Sequence, residues 1–405
     1  GSTADERLLA PLLEQLLSEN WRAAEDELLR VVSSGDLTTA EGRALAALGL
    51  VQVQIFGRLD VRGGLMALFP LLDAADRGDF SRPVAARTYL MAALMFGAPD
   101  CRFFDVGRIN ANAAKADALL EPEADELRVI LTVARLAGSR FLGSRYVMRT
   151  YEAGLGSLNR VTSALGRALA GSLNSLAASH RGDQIAAVRH GGEGLSILEQ
   201  LELWPLLTAM LSDRAWRAVL GPTMPDDVLK VTRYALGRAQ AANIAPIEAL
   251  VRLFACEIDA HCRAARFSEA NAAFEQAELV AKRGALPRVA LAMPVARLLI
   301  YTNRVDQLEA WAASLEAESA GSARALANVH ALAVRGCAAS LNADYQRADE
   351  LLSTVCAAPE TTPGIDYLVH HAYFELILVK VLRGDVEGAE ATLRRAHAYT
   401  AEHPS

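Results

Sequence analysis

The chain has 405 residues, 52% hydrophobic and 22% charged, ample apolar material for a large soluble fold. Its net charge of -7 argues against direct nucleic-acid binding, which usually needs a basic stripe. No apolar run approaches the roughly 20 uncharged residues of a membrane span.

Gly1 and Ser2 read as a cloning remnant with no secretory signal after them, and residues 3–405 read as one domain. Over 7–32, Leu9, Leu12, Leu13, Leu16 and Leu17 form one helical stripe, and Leu28, Leu29 and Val32 form another after a turn. Trp21 in ENWRAA and Leu59 in GRLDV sit at matching points of two such turns, 38 residues apart. Breakers follow at Gly97 with Pro99 and at Gly138 with Ser139, then Gln184 in RGDQIAA and a weak copy near Met224. Phe267, Val305, Tyr345 and Val386 continue the series at intervals of 38, 40 and 41. In the last copy Gly384 suits the left-handed residue that ends a helix, and Asp385 suits the cap that opens the next.

Between the breakers the chain is rich in Ala, Leu, Arg and Glu, strong helix formers, and shows no strand-like alternation. A period near 40 with this grammar predicts an all-α solenoid of about ten helix-turn-helix hairpins, because one hairpin cannot bury its stripe without neighbours. The stretch 221–227, GPTMPDD, marks either a bend between two halves or an ordinary loop between repeats. Val386 is expected to pack in the hairpin crease. The last helix, with Arg394, Arg395, His397 and Glu402, is expected to cap the stack with polar groups.

Chemistry is sparse. No lysine follows a glycine, so a GxxxxGK[ST] phosphate loop is excluded, and HExxH, GxSxG and GxGxxG are missing. Only four basic residues are lysines, a bias that suggests a GC-rich bacterial genome. The five cysteines are scattered among predicted helices, which fits reduced thiols in a cytoplasm. Cys256 and Cys262 are six apart and share a helix face poorly, so core thiols account for them better than a metal does. His370 and His371, beside Asp366 and Glu375, make no catalytic set, and Glu123, Asp125 and Glu126 answer a helix dipole. The chain reads as a non-enzyme without cofactor or metal.

One region departs from the repeat grammar. Over 135–151, Arg135, Arg140, Arg145 and Arg149 alternate with Phe141, Tyr146 and Tyr151 around Gly138 and Gly143. Forked guanidinium donors and flat aromatic faces suit a small anionic or aromatic ligand; the competing reading is core aromatics and solvated arginines. Tyr89 and Phe96, with Met91, Met95, Phe103 and Phe104, are candidates for the same lining one or two repeats earlier, or for plain core. Trp204 and Trp216 flank Met210, and Trp216 with Arg217 is a further candidate for the groove.

The turns GDVEGA, ADYQRA and ARFSEA resemble the tetratricopeptide-like sensor superhelix of MalT-like regulators, large ATP-binding LuxR-type bacterial activators. The resemblance implies a right-handed superhelix that receives a small-molecule inducer and passes a change of curvature to ATPase and DNA-binding modules. Those modules, or another protein, would then be its partners, in a cytoplasmic setting. The period departs from the 34 residues of the ordinary tetratricopeptide repeat, whose signature is incomplete here. The alternative function is a scaffold that binds a protein or peptide along its concave surface.

Overall fold

A computed structural model describes residues 3–58, 60–97, 105–139, 143–220, 223–242, 247–284, 288–317, 322–360 and 365–402. These form twenty α-helices and no strand, and the helices follow one another as hairpins. The first five pair α1 (Ala4–Gln15) with α2 (Trp21–Ser34), α3 (Ala40–Val53) with α4 (Val61–Arg77), α5 (Arg82–Phe96) with α6 (Val106–Leu119), α7 (Asp125–Ser139) with α8 (Gly143–Leu158), and α9 (Ala164–His180) with α10 (Gln184–Gln200). The second five pair α11 (Trp204–Leu220) with α12 (Pro225–Ala242), α13 (Ile247–Arg263) with α14 (Phe267–Gly284), α15 (Ala292–Tyr301) with α16 (Leu308–Ala317), α17 (Ser322–Leu341) with α18 (Tyr345–Ala357), and α19 (Asp366–Leu382) with α20 (Val386–Glu402).

The turn residues act as their chemistry dictates. Gly182 and Gly384 adopt φ of 78° and 77°, a left-handed backbone that costs glycine nothing. The residue after each is aspartate, and the Asp183 and Asp385 carboxylates accept from the amides of Ala186 and Gly388, at 3.0 and 2.9 Å. Ala265, Asn303 and Ala343 hold the same place in their turns at φ of 55°, 55° and 59° without being glycine. Trp21, Gln184, Phe267, Tyr345 and Val386 each open an even-numbered helix, as their sequence spacing predicts. Leu59 lies outside the described residues.

Stacking runs along the odd-numbered helices, which pack on their successors from α1 through α9 and again from α11 through α19. In a curved two-layer stack the layer with the shorter spacing is the inner one, so the odd helices line the inside. Acidic residues near their N-termini reach forward. The Asp5 carboxylate of α1 accepts from the amides and hydroxyls of Thr38 and Thr39 at the start of α3. Glu41 of α3 accepts from the Ser81 amide before α5, and Glu126 of α7 accepts from Thr162 and Ser163 before α9. The bonds from Thr39 and Thr38 hold the Asp5 carboxyl down at about 2. Glu126 thus caps the next odd helix, beyond any service to its own dipole.

One expectation about the C-terminal end is corrected. Val386 is 61% exposed and does not fill the crease, a place taken by Ala389. The last helix does expose Arg394, Arg395, His397 and Glu402, and beside them α19 and α20 expose Phe374, Leu378, Val381, Leu382 and Leu393.

Candidate functional site

The stack does not run away from its own beginning. Trp21, 3% exposed, donates its indole N–H to the carbonyl of Leu201, 2.8 Å away and 180 residues later. Beside it the Leu165 amide donates to the Leu17 carbonyl at 3.0 Å, and Arg22 pairs with Glu202. The crevice between the two segments is lined by Leu16, Trp21, Val53, Phe56, Leu165 and Leu203. Gly57 lies against the Trp21 ring, where a Cβ would come within 2.9 Å of it. The first hairpin is therefore sealed against the turn that joins α10 to α11, by apolar packing around one tryptophan.

A second return contact closes the later half. Trp216 of α11 meets Tyr367 of α19 edge to face, with ring centroids 5.8 Å apart. Tyr367 in turn hydrogen-bonds His330 of α17. His330 Nδ1 lies 2.8 Å from the Leu326 carbonyl and so carries the proton, which leaves Nε2 to accept from the tyrosine hydroxyl. Burial pushes His330 down to about 4 and raises the Tyr367 phenol.

The inner helices near this closure carry charge. Asp259 of α13 is 2% exposed and pairs with Arg263 at 3.0 Å and with Arg297 of α15. Cys337 of α17 lies 3.7 Å from His371 of α19, whose pKa is pushed down to about 4 by burial and by Arg297. Burial also raises the carboxyls of Glu257 and Glu375.

Arg217 differs from these paired groups. It is partly buried on α11, next to Trp216, and its Nη1 is shut off from solvent without a hydrogen-bond partner among the described residues. Its Nε makes only a long bond of 3.4 Å to the Asp213 carbonyl, and the Asp213 carboxylate is engaged by Arg252. Burial lowers the Arg217 pKa, the Asp213 charge opposes the shift, and nearby Arg214 adds to the positive field. His180, at the end of α9, is likewise lowered by burial and by Arg217 itself. Burial alone lowers Arg87 of α5 as well. A buried guanidinium nitrogen without a hydrogen-bond partner is costly, and an anion would relieve the cost.

The structure distributes the sequence candidates differently from one lining. Tyr89 is 6% exposed, donates its hydroxyl to Asp76 at 2.8 Å and lies under Lys115, and burial together with the Asp76 carboxylate raises its phenol to about 12. Phe96 is 4% exposed beneath Arg108. Both serve the packing of α5 against its neighbours. Arg135 pairs with Asp117 at 2.8 Å, and Arg149 is exposed on α8. Tyr151 is buried but donates to Asn174 of α9 at 2.7 Å, with Arg181 over its ring. It is thereby tied to the helix that ends at His180. Arg140 and Phe141 lie outside the described residues, as do the side chains of Arg145 and Tyr146.

Sequence reasoning passed over His180, and it marked Trp216 and Arg217 only as residues that could face the groove. Arg217 belongs to the odd-helix face that also carries Asp259 and Arg297. Aligning the odd helices against the turn register, and then looking for the charge without a neighbour, would have found it. Among the described residues no group of three or more His, Cys, Asp or Glu side chains is placed to hold a metal, and no helix is long and apolar enough to cross a membrane. The sequence matches no family model and no curated protein.

Proposed function

We propose that this chain is the ligand-sensing domain of a MalT-like bacterial transcriptional regulator, a right-handed tetratricopeptide-like superhelix with a period near 40. A small anionic inducer binds inside the stack beside Arg217 and His180, and the signal passes to ATPase and DNA-binding modules. The observation that carries this reading is the Arg217 guanidinium, its Nη1 enclosed without a hydrogen-bond partner, adjacent to the aromatic contact that closes the later half.

The coupling follows from adjacency. A ligand held by Arg217 presses on the segment that positions Trp216, so it binds the state with the Trp216–Tyr367 contact made and the state with it broken unequally. Only such a difference in affinity shifts curvature; equal affinity would shift nothing.

The test is a tryptophan-fluorescence titration with a panel of small carboxylates and phosphate esters. At least one should give a saturable change, and Arg217→Ala should weaken it about 10–100-fold, the loss of one charge-assisted hydrogen-bonding group. Trp216→Phe should remove the optical signal while calorimetry still records binding. Binding indifferent to Arg217→Ala, or no binding across the panel, would overturn the assignment.

A further inference from the structure

We propose that the anion held by Arg217 is a phosphoryl dianion, a phosphate monoester or free phosphate, cradled by Arg217, Arg214 and His180. This rests on the reading of Arg217 as the anchor of an anionic inducer, and it names the chemical class of that inducer.

Arg214 and Arg217 are three residues apart on α11, so their side chains rise from one face of the helix about one turn apart. His180 ends α9, the inner helix of the preceding hairpin. All three residues are partly buried and still open enough for a small solute to reach. Apart from the long Nε bond of Arg217, none of the three side chains has a hydrogen bond or an ion pair among the described residues. Arg252, Arg297 and Arg335, on inner helices of the same half, are answered by Asp213, by Asp259, and by Glu309 with Glu316. Arg214 and Arg217 are not.

The number of donors separates one anion from another. A carboxylate is planar with two oxygens, and the fork of one guanidinium satisfies both. It would leave the second arginine and the imidazole unanswered. A phosphoryl group carries three terminal oxygens and close to two negative charges near neutral pH, which gives one oxygen to each side chain. His180 serves as a neutral N–H donor, since burial and Arg217 lower its pKa.

Two features oppose any anion here. Asp213 lies near Arg217, although Arg252 engages its carboxylate, and the C-terminal ends of α9 and α11 present carbonyl groups. Binding therefore depends on the side chains and not on helix dipoles, and a doubly charged ligand gains most from two guanidiniums.

Calorimetric titration of the full chain at about pH 8 compares phenyl phosphate and inorganic phosphate, both dianions there, with the monoanions methyl phenyl phosphate and benzoate. At least one dianion should bind about tenfold or more tightly than either monoanion. Equal affinity for the two dianions marks free phosphate as the source, and a preference for phenyl phosphate marks an ester. Arg214→Ala should weaken the dianion about 10–100-fold, as should Arg217→Ala, and Arg214→Ala should leave benzoate within about threefold. Arg214→Gln gives the same answer should Arg214→Ala perturb folding, with circular dichroism as the check. Benzoate bound as tightly as phenyl phosphate, with a loss on Arg217→Ala and none on Arg214→Ala, would overturn the phosphoryl assignment and leave the anionic reading standing. Phosphate binding indifferent to both alanines, or no saturable binding of either phosphate, would overturn it too. If carboxylates then also fail to bind, the anionic reading falls with it.

Discussion

The two return contacts of the stack are built from opposite materials. Around Trp21 the surface is apolar, the indole N–H is satisfied, and Gly57 lets the ring seat closely. Around Trp216 the contact is a single aromatic edge, backed by a buried histidine and flanked by an arginine with an unpaired nitrogen. The first has the makings of a permanent joint. The second retains polar groups whose satisfaction depends on protonation or on a ligand, which is the kind of element that a small chemical change can bias.

The largest effect that would sharpen this contrast is expected at Trp21. Trp21→Ala removes a buried indole and its hydrogen bond, and should destabilise the chain by about 3–5 kcal/mol in urea unfolding. A change under about 1 kcal/mol would erase the distinction between the two joints.

Next comes pH. The folded pKa of His330 is about 4, below its unfolded value of about 6.5, so the unfolded chain takes up this proton first. The stability tied to a neutral His330 is whole above about pH 6.5 and is lost as pH falls toward 4. His330→Gln should flatten the stability profile in that window, relative to its own value at pH 8, by about 3 kcal/mol at most. A profile of unchanged slope would show that the second closure does not depend on this group.

The smallest effect has the opposite sign. Ala343 holds a left-handed backbone at φ 59°, where its Cβ is strained and glycine is not. Ala343→Gly should raise stability by about 0.5–1 kcal/mol without altering either joint, a control for changes that act on turns alone.

How much of this was legible in the sequence depends on distance along the chain. The hairpins were legible because their signals are local: Gly384, Asp385 and the leucines of 7–32 act within one or two helical turns. The spacing of Trp21, Gln184, Phe267 and Val386 located four helix starts for the same reason. The return contacts were not legible, since Trp21 and Leu201 are joined by the accumulated curvature of the hairpins between them, which no single turn encodes. The candidate lining suffered from a different ambiguity. Tyr89 and Phe96 are rich in apolar area, and core and groove both recruit such rings, so sequence alone could not separate them. Arg217 was legible only as a possible groove residue beside Trp216, because what sets it apart, a nitrogen without a hydrogen-bond partner, is a property of its neighbours in space.

The carboxylates of Asp5, Glu41 and Glu126 carry one more consequence. Each belongs to an odd helix and secures the start of a later one, so the dependence points from the N-terminus toward the C-terminus. A ribosome releases the chain in that same order. Each emerging helix then finds its first free amides already answered by a carboxylate that has folded ahead of it, and growth of the stack resembles templating more than search.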